Sequence, residues 1–452
     1  MPSAGFSLSC MVCHRTAYTV LSMKAESDHA VYHVGNLPMG AVLPKPRQVE
    51  YQGWELGLFL HFGIRTFCEG FVDMDERRMS AEEFDPSELD CENWAKTASD
   101  AGFKYVVLTA KHHDGFANWP SNTTPFSVAN ARWKSGKGDV IAEFTAACRK
   151  YGLAIGLYYS PFDADCPAYG DEKAYDDFFI TQISELLEPY GKIDVLWFDG
   201  CGSAGHTYDW FRIINEIRRM QPGILLFGGY DADIRWIGNE DGHAPIDNRN
   251  VNTGVPLGID STEKIETEMR WLPGECDARM RERNWFFSDT DEDTVKSLDE
   301  LMGMYYYSVG RGTNMLLNIG PDRRGLLPDL DAGRLVEFGD EIRRRFNTPI
   351  LTLDDFTRVG DTWEFKPESR MLIDHIVVSE DITKGEPIRK FVVKANRNPD
   401  YTTIILHEGY NVGHKTICRF PAISAYDIAV EVIESDGPVD LQVLDVLYTE
   451  TT

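Results

Sequence analysis

From about residue 50 onward, short apolar segments alternate with longer amphipathic segments, and this alternation limits the fold more than any other feature of the chain. Apolar runs bounded by turn residues predict strands buried on both faces, and helical periodicity between them predicts helices. Strands that alternate with helices are typical of α/β proteins with a parallel sheet. Six strands are predicted, at 57–61, 105–109, 154–159, 194–198, 224–227 and 315–319. Five helices are predicted, at 92–101, 139–151, 175–189, 208–220 and 293–310.

Two arrangements of such units compete, an open doubly wound sheet and a closed (β/α)₈ barrel. No G-x-G-x-x-G or P-loop sequence follows the first predicted strand, which removes the usual reason to favour the open sheet. A barrel has its active site at the carboxyl ends of its strands, where this sequence places polar residues such as His61, Asp199 and Asn318. The sequence therefore predicts a (β/α)₈-like barrel, although the pattern between residues 231 and 284 does not locate strands six and seven.

After about residue 350 the chain changes to short β-rich runs separated by turn residues, which predicts an antiparallel β-sandwich. We therefore divide the chain into an N-terminal extension at 1–36, a barrel domain at 37–348 and a C-terminal sandwich at 349–452. The extension is interpreted as a disordered segment or tag. It contains a C-x-x-C-H pattern at 10–14, but no helical domain follows, so no haem is expected.

Charge and composition narrow the class of partner. The formal net charge of −27 disfavours nucleic acid, anionic membranes and polyanionic substrates, because each would be repelled at long range. Aromatic residues make up 12% of the chain, and several adjoin polar residues at predicted strand ends, which suits stacking against sugars. The nine cysteines are odd in number and scattered, which favours a reducing compartment over a disulfide framework.

The sequence contains no clean signal peptide and no apolar run long enough to span a bilayer. We expect a cytoplasmic protein, with secretion or periplasmic export left open. A homo-oligomer is left open as well.

The segment Lys192–Gly200, KIDVLWFDG, ends a predicted buried strand on Asp199. The two-residue alternation of a strand places Trp197 on the same side as Asp199. A carboxylate beside an aromatic surface is what a glycosidase needs to attack a sugar carbon and stabilise a cationic transition state. The alternative is that Asp199 only caps the following helix.

His112, His113 and Asp114 directly follow another predicted strand, in the segment 108–121. Together with His61 they form a candidate metal site, but adjacent strand residues point to opposite faces and the spacing matches no zinc motif. A His–Asp pair packed in the core is a second alternative. We favour binding of sugar hydroxyls, because imidazole both donates and accepts hydrogen bonds.

Six segments in the same order resemble the motifs of the α-L-fucosidases of glycoside hydrolase family 29. They lie at 58–63, 108–121, 156–160, 196–200, 235–240 and 316–321. The resemblance extends over about residues 50–345, and the β-rich tail is similar to that family's C-terminal sandwich.

The resemblance implies a retaining exo-α-L-fucosidase that acts on fucosylated oligosaccharides or glycoconjugates without a metal or organic cofactor. It implies that Asp199 is the nucleophile, which forms a covalent fucosyl-aspartate. Glu240 matches the acid/base of the subgroup that cleaves α-1,3 and α-1,4 linkages, and Glu275 is its rival. The implied fucose-binding residues are His61, His112, His113, Tyr159, Trp197 and Arg235. Trp285 is expected to line the aglycone side.

Two further alternatives concern function. A related retaining barrel glycosidase could act on another sugar, such as α-L-galactose, which differs from fucose only in the hydroxyl at carbon six. A catalytically inactive fucose-binding relative would keep the aromatic residues and histidines but lose a carboxylate, whereas Asp199 and Glu240 are both present.

Overall fold

The computed structural model describes residues 42–68, 77–229, 231–253, 268–366, 368–397 and 403–449, and the extension predicted at 1–36 lies outside them. The strands of the first part are β1 (Leu56–Leu60), β2 (Tyr105–Lys111), β3 (Ala154–Tyr159), β4 (Val195–Phe198), β5 (Leu225–Phe227), β6 (Arg235–Trp236), β7 (Val251–Thr253), β8 (Met269–Trp271), β9 (Gly274–Arg279) and β10 (Asn314–Ile319). The helices are α1 (Pro46–Gln52), α2 (Cys91–Asp100), α3 (Val140–Lys150), α4 (Glu172–Leu187), α5 (Trp210–Met220), α6 (Leu298–Tyr307) and α7 (Asp329–Phe346).

Eight of these strands form one parallel sheet in the order β5-β4-β3-β2-β1-β10-β9-β6. A parallel bridge between Phe227, at the end of β5, and Ile234, just before β6, brings the two edges together. The sheet is therefore a nearly closed barrel, as the sequence predicts. All six predicted strands are confirmed to within two residues at each end, and the two that could not be located are β6 and β9.

Helices cover the outside of the barrel unevenly. Helices α2, α3, α4 and α5 connect successive strands from β1 to β5, whereas two short antiparallel strands, β7 and β8, lie between β6 and β9. Five helices begin after an Asp or Ser whose side chain accepts a backbone N–H of the first turn, which satisfies a donor that has no helical partner. These caps are Asp90, Asp139, Asp171, Asp209 and Ser297. Helices α1 and α7 are not among the predicted helices.

The two faces of the barrel strands have different neighbours. Outward residues such as Leu108, Leu157 and Leu196 belong to the large core beneath the helices. Inward residues such as Tyr158 and Trp197 belong to a separate cluster that fills the barrel. Because the strands are buried on both faces, they are nearly continuous apolar runs, as in other parallel sheets.

The C-terminal part contains two antiparallel sheets packed around a second core, which confirms the predicted sandwich. Its strands are β11 (Thr357–Val359), β12 (Thr362–Phe365), β13 (Met371–Glu380), β14 (Ile388–Asn396), β15 (Ile404–Gly409), β16 (Thr416–Ala425), β17 (Asp427–Ser435) and β18 (Leu441–Leu447). Helix α7 ends at Phe346 and β11 begins at Thr357, on either side of the boundary predicted at 348/349, which stays a prediction.

Side chains from the sandwich also contact the barrel. The carboxylate of Glu386 accepts hydrogen bonds from the backbone N–H groups of Asn250 and Val251 at 2.8 and 3.1 Å. Tyr306 at the end of α6 contacts Nε2 of His375 on β13 at 2.8 Å. Within the described residues, no helix combines the length and apolarity needed to cross a bilayer.

Candidate active site

The carboxyl ends of β1, β2 and β4 bring three predicted groups to one mouth of the barrel. His61 follows β1, His112 and His113 follow β2, and Asp199 follows β4. The rings of His61 and His112 are 5.7 Å apart, and Nε2 of His113 lies 3.5 Å from Oδ2 of Asp199. The sequence-predicted association of these four residues is therefore observed.

Three donors surround the carboxylate of Asp199. The Tyr158 hydroxyl donates to Oδ2 at 2.9 Å, the Cys201 backbone N–H donates to Oδ1 at 2.8 Å, and His113 approaches Oδ2. Burial alone would raise the pKa of Asp199, but His113, the Cys201 N–H and the Tyr158 hydroxyl outweigh it and lower that pKa below its ordinary value. The side chain is still 29% exposed, so Asp199 is an ionised carboxylate that a ligand can reach.

Trp197 forms an aromatic floor beneath this carboxylate. Its indole stacks on Phe227 at 4.0 Å between ring centroids and on Tyr158 at 5.4 Å. Its Nε1–H donates to Glu275 Oε1 at 2.8 Å. A ring held on two sides and by its N–H has little freedom, and it offers an ordered apolar surface.

The proton on His61 can be assigned from its neighbours. Asn318 donates its amide Nδ2–H to the Trp285 carbonyl at 2.8 Å, so its Oδ1 is the atom that lies 2.7 Å from His61 Nδ1. Because that oxygen only accepts, Nδ1 carries the proton and Nε2 keeps its lone pair. Burial lowers the pKa of His61 to about 3, so the ring is neutral at neutral pH and Nε2 can accept a hydrogen bond from a hydroxyl.

His113 is fixed in the same way. The Ser160 hydroxyl donates to the Phe162 carbonyl at 2.8 Å and therefore accepts from His113 Nδ1 at 2.7 Å. His112 is held by ring contacts instead, stacked on Tyr158 at 5.4 Å and edge-on to Phe286 at 5.0 Å. Burial lowers the pKa of His112 well below its ordinary value, so this imidazole is neutral too.

Trp285 closes one side of the mouth. Its ring lies 5.0 Å from His61 and 6.0 Å from Phe59, and the Arg279 guanidinium lies 5.3 Å from its centroid. The indole is partly exposed, as expected for a residue that lines a binding site.

Glu240 lies at the rim, on the loop after β6. An antiparallel bridge between Asp241 and Ala278 fastens this loop to β9. Oε2 of Glu240 lies 3.9 Å from Nη1 of Arg279, and the Glu240 side chain is 48% exposed. This carboxylate is therefore accessible to solvent and lies beside the arginine that contacts Trp285.

Glu275, the rival acid/base, lies deep inside the barrel, on the far side of Trp197 from the mouth. Its carboxylate is fully buried and accepts hydrogen bonds from Tyr51 at 2.6 Å, Tyr105 at 2.7 Å and Trp197 at 2.8 Å. Gly57 makes room for this arrangement, because a Cβ there would lie 2.2 Å from the Tyr105 ring. Glu275 cannot reach a ligand above Trp197, so the geometry does not support it as acid/base or on the aglycone side.

Two other predicted fucose-binding residues are not part of the cluster. Tyr159 is fully buried on the outer face of β3, where its hydroxyl donates to Gln182 Oε1 of α4 at 2.6 Å. Arg235 is directed away from the barrel and donates to the Leu272 and Arg249 carbonyls at 3.1 and 3.2 Å. Both placements correct the sequence interpretation, and the physical reason is that adjacent strand residues face opposite sides.

Tyr158 and Trp236, the chain neighbours of Tyr159 and Arg235, face the inside of the barrel instead. Tyr158 pairs in register with Trp197 and contacts Asp199. Trp236 belongs to the cluster inside the barrel and donates to Asp277 Oδ1 at 2.7 Å. Sequence reasoning also missed Arg279. A two-residue alternation through GECDAR would have placed the glutamate, aspartate and arginine of that segment on one face.

The same geometry can be used to examine the alternative of a metal site that includes Asp114. Asp114 Oδ2 lies 3.3 Å from Arg65 Nε, and its Oδ1 accepts the Phe116 N–H at 2.7 Å. Across the part of the chain that the structure describes, no group of three or more His, Cys, Asp or Glu side chains has an arrangement suited to a metal ion.

An ionised carboxylate above an aromatic floor, flanked by imidazole rings, is the kind of site that barrel glycosidases use. Comparison with known proteins agrees. The family model described as alpha-L-fucosidase matches residues 71–344. The chain is 35% identical to alpha-L-fucosidase 1 of Arabidopsis thaliana over 421 residues, which cover 84% of this chain and 82% of that protein.

Solved structures of this family are similar in fold as well. A glycoside hydrolase 29 family member from an unknown rumen bacterium superposes with a TM-score of 0.81 at 30% identity, covering 91% of this chain and 78% of that chain. A Ruminococcus gnavus GH29 fucosidase in complex with fucose has a TM-score of 0.81 at 28% identity, with 90% and 95% covered. The chain belongs to the α-L-fucosidase family, glycoside hydrolase family 29.

Proposed function

We propose that this protein is a retaining exo-α-L-fucosidase that removes terminal α-linked L-fucose from oligosaccharides or glycoconjugates. The observation that carries the proposal is Asp199, a partly exposed carboxylate whose pKa is lowered by His113, the Cys201 N–H and Tyr158 despite burial. Such a group is ready to attack an anomeric carbon at neutral pH. The solved fucose complex of a related enzyme supports the choice of sugar.

The chemistry takes two steps. Asp199 attacks the anomeric carbon and forms a fucosyl-aspartate, while Glu240 donates a proton to the departing oxygen. Glu240 then removes a proton from water, which attacks the same carbon and releases fucose with its configuration retained. Glu240 is suited to both transfers because it is exposed at the rim and approached by Arg279. The segment around Glu240 resembles the subgroup that cleaves α-1,3 and α-1,4 linkages, and we propose that this protein cleaves the same linkages.

Sugar recognition is divided between imidazoles and aromatic rings. His61 presents a lone pair at Nε2, and His112 and His113 lie beside it, so hydroxyl groups can donate and accept here. Trp197 and Trp285 supply apolar surface for the C6 methyl group, which distinguishes fucose from L-galactose.

The cellular setting is also a proposal. The described cysteines are Cys68, Cys91, Cys148, Cys166, Cys201, Cys276 and Cys418, and each is a free thiol. Free thiols support the reducing compartment that the sequence analysis expects.

The proposal is tested with aryl α-L-fucoside, aryl α-L-galactoside and the variant Asp199→Gly. We expect the wild type to prefer the fucoside and Asp199→Gly to lose on the order of 10⁴-fold in kcat on every substrate, because the attacking group is gone. Azide should occupy the vacated side and give the inverted β-fucosyl azide. Equal or better turnover of the galactoside would replace fucose by L-galactose as the substrate, and an active Asp199→Gly enzyme would contradict the nucleophile assignment.

A further inference from the structure

A cleft of about 280 Å³ opens between the barrel and the sandwich, and none of the residues assigned to catalysis lines it. We call it the junction cleft. The barrel contributes Tyr307 and Arg311, at and after the end of α6, and the sandwich contributes Tyr410 and Arg419. The cleft thus has an aromatic and a cationic side chain from each domain.

The two tyrosines are unusually open for large side chains. Tyr307 is 48% exposed and Tyr410 is 50% exposed. Exposed tyrosines combine a flat apolar surface with a hydroxyl, and this combination suits packing against the C–H face of a sugar ring. Arg311 lies over one face of the Tyr307 ring and His243 contacts its edge, but about half of each tyrosine stays exposed and available to a ligand.

The two arginines carry charge that no acidic side chain among the described residues pairs with. Arg311 lies 4.4 Å from the Tyr307 ring centroid and donates to the Ala244 carbonyl at 2.5 Å, and Arg419 lies 5.2 Å from the Tyr306 ring. Among the described residues neither guanidinium forms an ion pair with a carboxylate, and none of the residues that line the cleft is acidic. Burial lowers the pKa of Arg311, which reflects a cation partly withdrawn from water without an anion beside it.

The positive region continues beyond the cleft. A neighbouring cavity of about 760 Å³ shares Arg419 and adds Arg344 and Arg345, which pair with the single carboxylate of Glu341. The carboxylate that lines this cavity, Asp374, already accepts hydrogen bonds from His375 and Thr449. The chain as a whole has a net charge of −27, so this group of cations is a local exception. It favours a ligand with a single acidic group, because a long polyanion would be repelled by the rest of the protein.

We propose that the junction cleft binds an acidic sugar, one that carries a carboxylate or a sulfate, at a site separate from the fucose site. The sugar ring packs against Tyr307 and Tyr410, and the acidic group meets Arg311 and Arg419. The inference rests on the proposed function in one respect, since a glycoside hydrolase makes a glycan the natural occupant. The backbone N–H of Ala244 also donates to the Tyr307 carbonyl at 2.7 Å, so the cleft wall holds the loop that carries Glu240.

Direct binding measurements on the full-length protein test this inference with probes that contain no fucose. Lactose, sialyllactose and sulfated lactose are titrated by calorimetry, with inorganic phosphate as a competitor. We expect one or both acidic lactoses to bind at least about tenfold more tightly than lactose, and the better one identifies the acidic group. Arg419→Glu should abolish this preference, and Tyr410→Ala should weaken binding of all three sugars.

Arg132→Glu, at an exposed arginine outside the cleft, is the matched control and should bind the probes like the wild type. All three variants should hydrolyse aryl α-L-fucoside at the wild-type rate, which shows that they are folded. Equal affinity for lactose and its acidic forms, wild-type binding by Arg419→Glu, or phosphate that competes as well as the acidic sugar would each overturn the inference. Acid-sugar binding by a protein without fucosidase activity would instead overturn the proposed function and leave this inference standing.

Discussion

The floor and the mouth of the barrel each hold a glutamate next to β9, and the two have opposite surroundings. On the floor, Glu275 is fully buried and accepts hydrogen bonds from Tyr51, Tyr105 and Trp197. At the mouth, Glu240 is 48% exposed, and Arg279 approaches it to 3.9 Å. The Glu275 oxygens accept hydrogen bonds from the protein, whereas the Glu240 carboxylate is open to solvent.

The comparison shows that burial and an altered pKa do not identify a catalytic group by themselves. Burial raises the pKa of Glu275 despite its three donors, a shift that is often seen in general acids. Access decides the matter here, because Trp197 separates Glu275 from the mouth. The same carboxyl group is bound into the protein at one position in the barrel and open to solvent at another.

The largest effect should come from the mouth, where Glu240→Ala removes the proton donor. We expect natural fucosides with poor leaving groups to be cleaved on the order of 10²–10⁴-fold more slowly, while a fucosyl fluoride, which needs no proton, still forms the intermediate. Azide should accelerate turnover and give the retained α-fucosyl azide, measured by product NMR. Asp241→Ala, in the same exposed loop, is the control and should behave like the wild type. If Glu275→Ala shows this leaving-group dependence and Glu240→Ala does not, then Glu275 is the acid/base and Glu240 is not.

Glu275→Ala on the floor should act on stability instead. Its loss leaves three buried donors without an acceptor, so we expect the free energy of unfolding to fall by about 3 kcal/mol or more. Glu275→Gln should cost less, because the amide keeps one acceptor and the tyrosine hydroxyls can turn to accept from its NH₂. Denaturant unfolding of the two variants measures the difference. Full stability of Glu275→Ala would show that the floor network contributes little.

The adjacent tyrosines of β3 should also differ, one affecting the rate and the other the stability, with smaller changes in each. Tyr158→Phe removes a hydrogen bond to the nucleophile and should lower kcat/KM by about tenfold. Tyr159→Phe removes the bond to Gln182 beneath α4 and should cost about 1 kcal/mol of stability with little change in rate. Steady-state kinetics and thermal unfolding distinguish them. The reverse result would restore Tyr159 to the sugar site.

The last effect, which is confined to acid conditions, concerns stability at the mouth. His61 is held neutral in the folded protein, where burial lowers its pKa from 6.5 to about 3, whereas the unfolded chain takes up a proton at its ordinary value. Stability should therefore be complete above about 6.5 and should fall as pH decreases through this window. His61→Gln should show a shallower decline in unfolding free energy, and exposed His243→Gln should follow the wild type. Identical slopes for all three proteins would contradict a neutral buried His61.

Most of the barrel and half of the site were accessible from the sequence for a simple physical reason. Strands such as β4 are continuous apolar runs that end on a polar residue, so both the strand and Asp199 are visible locally. Strand β9 was not visible, because its inward residues Glu275, Asp277 and Arg279 interrupt the apolar pattern. The choice between Tyr158 and Tyr159 was hidden as well, since it depends on the pairing of β3 with β4.

The described residues between β6 and β9 contain no helix, and this has a consequence for how the chain can be divided. The sandwich packs there, since Glu386 accepts hydrogen bonds from the backbone N–H groups of Asn250 and Val251 at the start of β7. A fragment cut at the end of α7 would leave these amides without their acceptor. The sandwich therefore completes part of the barrel's own wall, and cutting the chain between the two parts should destabilise the barrel.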